Sequence, residues 1–97
     1  MGWSTKRKAD LVEDLNLLLG DFCMQWGFCN QLRAEHLLQP GKVLTAEEFA
    51  WAVLEAEGMK AEYEPEWRRR MRDKFVARYG PSVSLESYVA PPGLTNR

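Results

Sequence analysis

Few side chains in this sequence have the types and spacing that catalysis or metal binding requires. The single histidine, His36, has no second ligand at a regular spacing, and glycine-rich phosphate loops and nucleophile motifs are missing. Carboxylates are concentrated in one segment, at Glu47, Glu48, Glu55 and Glu57. Such a group is typical of a solvated helix face and not of a desolvated acid–base pair. We therefore expect a chain that is not catalytic on its own and that binds no cofactor and no metal.

The two cysteines offer no clear chemistry either. Cys23 and Cys29 are six residues apart, so on one continuous helix their side chains would point about 240° apart. Neither a disulfide nor a shared metal site follows from that geometry. The sequence instead predicts two thiols packed in an apolar core.

The charge distribution is more informative than the net charge of -1. Residues 42–66 carry two lysines against seven glutamates, whereas residues 67–78 carry five arginines and one lysine against one aspartate. Two helices charged in this way can pair with each other in a helical hairpin, where exposed ion pairs contribute roughly 0–1 kcal/mol each. Alternatively, the basic segment is a binding surface.

A long first helix is predicted from about Ser4 to Cys29. Its main apolar stripe recurs at helical spacing and is expected to face the core; it consists of Leu11, Leu15, Leu18, Leu19, Phe22, Trp26 and Cys29. A second, thinner stripe of Leu17, Met24 and Phe28 lies almost opposite. A helix with two apolar faces is either central in its domain or binds another chain through the second face.

Two further helices have clear boundary signals. Thr45 and Glu48 predict a capping box, and Gly58 predicts the end of a helix over residues 46–57. Pro65 and Gly80 bound the third helix, which carries the basic cluster. Trp51 falls on the acidic side of the second helix, so that either another segment of the chain covers it or it is a partner-binding residue.

The sequence thus predicts an all-α fold, a small bundle of three main helices followed by an irregular C-terminal tail. Residues 1–89 are expected to form one domain and residues 90–97 a flexible tail, because Pro91, Pro92 and Gly93 interrupt regular structure. No apolar run approaches the ~18 residues of a membrane-spanning helix, and charges interrupt any signal-peptide core. We expect a cytoplasmic protein without a membrane partner.

A resemblance to a known family rests on the order of residues along 18–80. The matching positions are Phe22-x3-Trp26, Leu32, Gly41, Thr45-x2-Glu48-Phe49-Ala50, Leu54, Trp67, Phe75 and Gly80. This order resembles the helical N-terminal domain of nitrile hydratase beta subunits and the small nitrile hydratase accessory proteins. The chain departs from the family in keeping only Tyr63 of a tyrosine-rich linker and in the more basic segment Arg68-Arg69-Arg70.

The resemblance implies an accessory protein or non-catalytic subunit that holds the alpha subunit of a nitrile hydratase-like metalloenzyme, whose iron or cobalt is bound by that partner. From the residues themselves we predict a protein–protein interaction module that binds such a partner or dimerises. Its predicted contact residues are Leu17, Met24, Phe28, Trp51, Arg68, Arg69 and Arg72. The alternative is a small regulator that binds nucleic acid through Arg68, Arg69, Arg72 and Lys74.

Overall fold

The computed structural model describes residues 2–29 and 32–88, with side chains from residue 10 onward. Four helices follow one another: α1 (Gly2–Trp26), α2 (Ala34–Leu37), α3 (Ala46–Ala56) and α4 (Pro65–Tyr79), with a 3-10 turn at Ala61–Tyr63. Two short strands, β1 (Leu44–Thr45) and β2 (Ser82–Val83), pair in antiparallel register. The prediction of a mainly helical fold with three main helices is confirmed.

Local capping fixes both ends of α3. Thr45 Oγ1 accepts a hydrogen bond from the Glu48 N–H, and Glu48 Oε1 accepts one from the Thr45 N–H, both at 3.1 Å. At the other end Gly58, with φ of 80°, closes a Schellman motif in which the Met59 N–H donates to the Leu54 carbonyl at 3.0 Å. The predicted start of this helix is confirmed, and its last helical residue, Ala56, lies one residue before the predicted end.

The first helix ends three residues earlier than predicted. Its last helical residue is Trp26, and Gly27 follows with φ of 75°. The Gly27 N–H donates to the Cys23 carbonyl at 3.0 Å and the Phe28 N–H to the Phe22 carbonyl at 3.3 Å, in a cap whose left-handed position glycine favours. The chain reverses here, so Phe28 and Cys29 fold back beside the last turn of α1.

The segment after α4 is more regular than the sequence suggested. Leu44 pairs with Val83 and Thr45 with Ser82, and the Ala46 N–H donates to the Pro81 carbonyl at 3.0 Å. The prediction of irregular packing over residues 82–89, of which the structure describes 82–88, is therefore wrong at β2, because β1 offers it a free backbone edge. The predicted flexible tail at 90–97 lies outside the described residues.

One core joins all the helices. Its largest fully buried side chains come from α1, α3 and α4, and are Phe22, Phe49, Phe75, Leu11, Leu15, Leu54 and Met71. Phe49 contacts Phe22 and Phe75, with ring centroids 5.9 and 5.0 Å apart. The main stripe of α1 thus faces inward as predicted. Within the described residues, the structure contains no helix that is long and apolar enough to span a bilayer.

Candidate functional site

The outer face of α1 carries two exposed apolar side chains. Leu17 is 58% exposed and Met24 is 85% exposed. Seven residues separate them, so they lie two turns apart on one side of the helix, about 10 Å along its axis. Gly20 lies between them on the exposed surface, and a Cβ added there would meet nothing within 4 Å. Leu17, Gly20 and Met24 therefore form an open, shallow strip.

Carboxylates surround this strip. Glu13 and Asp21 are exposed on the same side of α1, and Asp10 is half-buried one turn before Glu13. No lysine or arginine occurs between residues 10 and 26. We call Glu13, Leu17, Gly20, Asp21 and Met24 the acidic–apolar face, since it combines exposed apolar side chains with two exposed carboxylates in a stretch, residues 10–26, that contains no lysine or arginine.

Phe28 does not extend the face, although the sequence placed it on the same stripe. Because α1 ends at Trp26, the Phe28 ring turns toward the domain and packs against Trp67 and Trp26, with centroid distances of 4.8 and 6.2 Å. The ring is half-buried. The structure therefore separates Phe28 from Leu17 and Met24.

Three of the other predicted contact residues, Trp51, Arg68 and Arg72, meet around one carboxylate on α3. Glu47 Oε2 accepts a hydrogen bond from the Trp51 indole at 2.8 Å, and Glu47 Oε1 accepts one from Arg72 Nη1 at 2.9 Å. Arg68 Nε lies 3.8 Å from Glu47 Oε2, and the Arg68 guanidinium lies 5.5 Å from the Trp51 ring centroid. The hydrogen bonds from Trp51 and Arg72 hold the pKa of the Glu47 carboxyl below its usual range.

In this cluster the acidic helix α3 and the basic helix α4 pair with each other, which is the first of the two alternatives that their opposite charges suggested. Arg68 also donates to the Ala61 carbonyl at 2.8 Å, and Arg70 lies 4.9 Å from the Trp67 ring centroid. Trp51, Arg68 and Arg72 thus already have partners within the chain. Arg69 stands apart from the cluster as an exposed side chain.

A second polar network was not predicted from the sequence. Asp14 on α1 is only 7% exposed, and it accepts hydrogen bonds from Arg78 Nη2 at 2.7 Å, Arg78 Nε at 2.9 Å and the Tyr79 hydroxyl at 2.6 Å. Burial alone would raise the pKa of Asp14, but these hydrogen bonds outweigh it and hold that pKa below its usual range. Burial, followed by the bond to Asp14, raises the pKa of Tyr79.

This network has a structural role and leaves no free reactive group. The Asp14 carboxylate accepts hydrogen bonds from three donors, and Arg78 neutralises its charge. The only sequence signal was one aspartate beside the inward-facing leucines of α1, with its partners 64 and 65 residues away. Residue spacing along the sequence does not predict contacts between residues that far apart.

The prediction that the cysteines are separate core thiols is wrong. Cys23 and Cys29 form a disulfide, with their Cα atoms 4.4 Å apart. The prediction assumed one continuous helix, whereas the reversal at Gly27 returns Cys29 to Cys23. Cys29 is exposed and Cys23 half-buried, so the bond lies at the surface.

Known proteins add no further constraint on this site. Over residues 2–29 and 32–88, no group of three or more His, Cys, Asp or Glu side chains is arranged to hold a metal ion. A scan against protein-family models, a search of curated proteins and a search of solved structures each found no match to this chain.

Proposed function

We propose that this protein is a protein-binding module whose contact surface is the acidic–apolar face of α1. The observation that carries the proposal is the exposure of Leu17 and Met24 on one side of a helix whose opposite side is fully used in the core. Side chains of this size are favourable contact residues when a partner removes them from water. Of the predicted contact residues, these two have the most unused apolar surface.

The charge of the face indicates the chemistry of its partner. Two copies of the face would bring Glu13 and Asp21 of each chain against those of the other, and like charges in an interface are unfavourable. A basic amphipathic helix satisfies both features, since its apolar stripe covers Leu17 and Met24 while lysines or arginines meet the carboxylates. The proposed partner is therefore another protein with such a helix, in preference to a second copy of this chain.

The family resemblance stays a proposal about the identity of that partner. It suggests the alpha subunit of a nitrile hydratase-like enzyme, with iron or cobalt held by the partner. This suggestion rests on the order of residues from Phe22 to Gly80 alone. The cytoplasmic location also stays a proposal, which cell fractionation followed by immunoblotting would test.

The nucleic-acid alternative receives less support from the geometry. Of its four proposed residues, Arg68 and Arg72 are engaged with Glu47 on the neighbouring helix. Arg69 and Lys74 are exposed. Two cations give a weak phosphate-binding surface, because affinity for nucleic acid rises with the number of phosphates neutralised.

The binding proposal is tested by NMR titration with a peptide that forms an amphipathic helix, with leucines along one face and lysines along the other. Its control is a scrambled peptide of the same composition. We expect shifts that cluster at Leu17, Gly20 and Met24, and about tenfold weaker binding by the double variant Leu17→Ser/Met24→Ser. Val76→Ser is the matched control, since Val76 is 44% exposed on α4.

Two results would contradict the proposal: equal binding of both peptides, or shifts that cluster on α4. Light scattering across a concentration series measures the mass of the protein in solution and so tests whether it dimerises. A dimer would mean that the partner is a second copy of this chain. A parallel titration with a purified nitrile hydratase alpha subunit tests the narrower proposal. Failure with that subunit but success with the peptide would reject the family assignment and keep the contact surface.

A further inference from the structure

A groove runs beside the Cys23–Cys29 disulfide at the end of α1. Its volume is about 280 Å³, and its lining includes both cysteines, Gly20, Phe28 and Arg33. The groove is open at Gly20, where an added Cβ would meet nothing within 4 Å. A small molecule can therefore reach the disulfide through the groove while the domain stays folded.

We propose that this groove is a site of reversible thiol–disulfide exchange with a low-molecular-weight thiol such as glutathione. Cys29 is exposed and the groove is open, so small molecules can reach this disulfide. Exposed disulfides are typically the ones that are easily reduced and that have regulatory roles. If the protein is cytoplasmic, a redox role is also what a disulfide there usually has. The groove shares Gly20 with the acidic–apolar face, but the proposal does not rest on the protein-binding function.

The exchange has two balanced steps. A thiolate attacks Cys29 Sγ, a bond forms between the two sulfurs, and the bond to Cys23 breaks, so that Cys23 leaves as a thiolate and takes a proton from water. A second small thiolate then attacks the mixed disulfide at the small-molecule sulfur and releases Cys29 as a thiolate, which also takes a proton from water. The protein gains two electrons and two protons, and two small thiols become one small-molecule disulfide.

The charges around the groove do not select between neutral and anionic small thiols. Arg33 Nη2 lies 3.3 Å from Glu35 Oε2, and Asn16 Nδ2 lies 3.5 Å from Glu35 Oε1. The Arg33 charge is thus largely balanced by Glu35, which gives the groove no strong net sign. Neutral and anionic small thiols should therefore both enter the groove.

Opening the disulfide has a defined structural consequence. Phe28 lies inside the closed loop and packs on Trp67, with ring centroids 4.8 Å apart. In the disulfide form, Cys29 holds the Phe28 turn against the last turn of α1. Reduction removes that tether and leaves the backbone hydrogen bonds of the turn and the packing of the Phe28 ring to hold it, so the contact between Phe28 and Trp67 opens more often.

The test begins with the folded, oxidised protein in millimolar glutathione under native conditions. Free thiols are counted by maleimide mass shift, while tryptophan emission and amide exchange at Phe28 report on the turn. We expect reduction without global unfolding, a change in emission, at least about tenfold faster exchange at Phe28, and reversal on adding oxidised glutathione. The double variant Cys23→Ser/Cys29→Ser should show none of these responses.

A groove variant separates access from chemistry. Gly20→Leu fills the open groove from the helix surface, and we expect reduction by glutathione to slow about tenfold relative to the small control Gly20→Ala. Four results would each overturn the proposal. Two concern the wild type: reduction only in denaturant, or reduction that leaves the Phe28 signals unchanged. The others are equal reduction rates for the two Gly20 variants, and reduction by a protein dithiol but not by glutathione.

Discussion

The Asp14 carboxylate and the Arg78 guanidinium form a two-pronged ion pair, with N–O distances of 2.7 and 2.9 Å. They connect the middle of α1 to the end of α4 across 64 residues of sequence. Asp14 is 7% exposed, so the pair is shielded on the carboxylate side. This contact and the apolar stripe of α1 together fix the long helix on the rest of the domain.

Removing one partner of this pair should destabilise the fold strongly. Asp14→Ala leaves Arg78 and the Tyr79 hydroxyl without their acceptor, but the Arg78 side chain is 34% exposed and can be hydrated, so we expect the free energy of unfolding in urea to fall by about 2 kcal/mol. Asp21→Ala, an exposed aspartate on the same helix, should change it by less than about 0.5 kcal/mol. Equal effects of the two substitutions would mean that the pair contributes nothing specific.

The same pair predicts the acid limit of stability. The folded pKa of Asp14 lies below its usual range, so its contribution is complete well above pH 4 and is lost as the pH falls below about 4 toward the folded pKa. Urea unfolding from pH 7 to pH 2 should show this loss in the wild type and a shallower loss in Asp14→Asn. Parallel pH profiles would contradict the assignment.

The sequence predicted those parts of the fold whose signals are local. The capping box of Thr45 and Glu48 and the terminating Gly58 each act within four residues, and α3 begins at the predicted residue and ends one residue before the predicted end. Leu17 and Met24 were likewise found from helical spacing. Their exposure required the structure, because a second apolar stripe is equally compatible with a central helix.

The missed features depend on contacts between distant segments or on one uncertain helix end. The partners of Asp14 on α4 could not be predicted, because residue spacing does not show which distant segments of a chain come into contact. Treating Gly27 as part of α1 separated Cys23 from Cys29 and placed Phe28 on the outer stripe. A helix end three residues earlier reversed both conclusions, which shows how strongly site prediction depends on helix termini.

Gly20 within α1 and Gly27 just after its end should respond to alanine with opposite signs. Gly20 is helical and has open space at its Cβ position, so Gly20→Ala should raise the free energy of unfolding by up to about 1 kcal/mol. Gly27 has φ of 75°, so Gly27→Ala should lower it by about 1 kcal/mol. Thermal unfolding followed by circular dichroism measures both, and a stabilising Gly27→Ala would reject the left-handed cap.

The disulfide should contribute modestly to stability because it closes a short loop. For cysteines six residues apart, chain-entropy arguments give about 2 kcal/mol, and Cys29→Ser should lose about that amount in oxidising buffer. In reducing buffer the wild type and the variant should unfold at nearly the same urea concentration. A difference that persists after full reduction would assign the effect to packing of the side chain and not to the bond.

The Glu47 cluster, in contrast, should matter little for stability despite its several contacts. Its carboxylate is 46% exposed and its partner Arg72 is 41% exposed, so water screens the ion pairs. Glu47→Gln keeps an acceptor for the Trp51 indole and should cost no more than about 1 kcal/mol at low salt, a cost that vanishes near 1 M salt. Glu55→Gln, at an exposed position of the same helix, is the control and should show no salt-dependent difference from the wild type. A larger loss that resists salt would mean that Glu47 holds α3 and α4 together through its hydrogen bonds, and that the two helices separate more readily than their shared apolar core indicates.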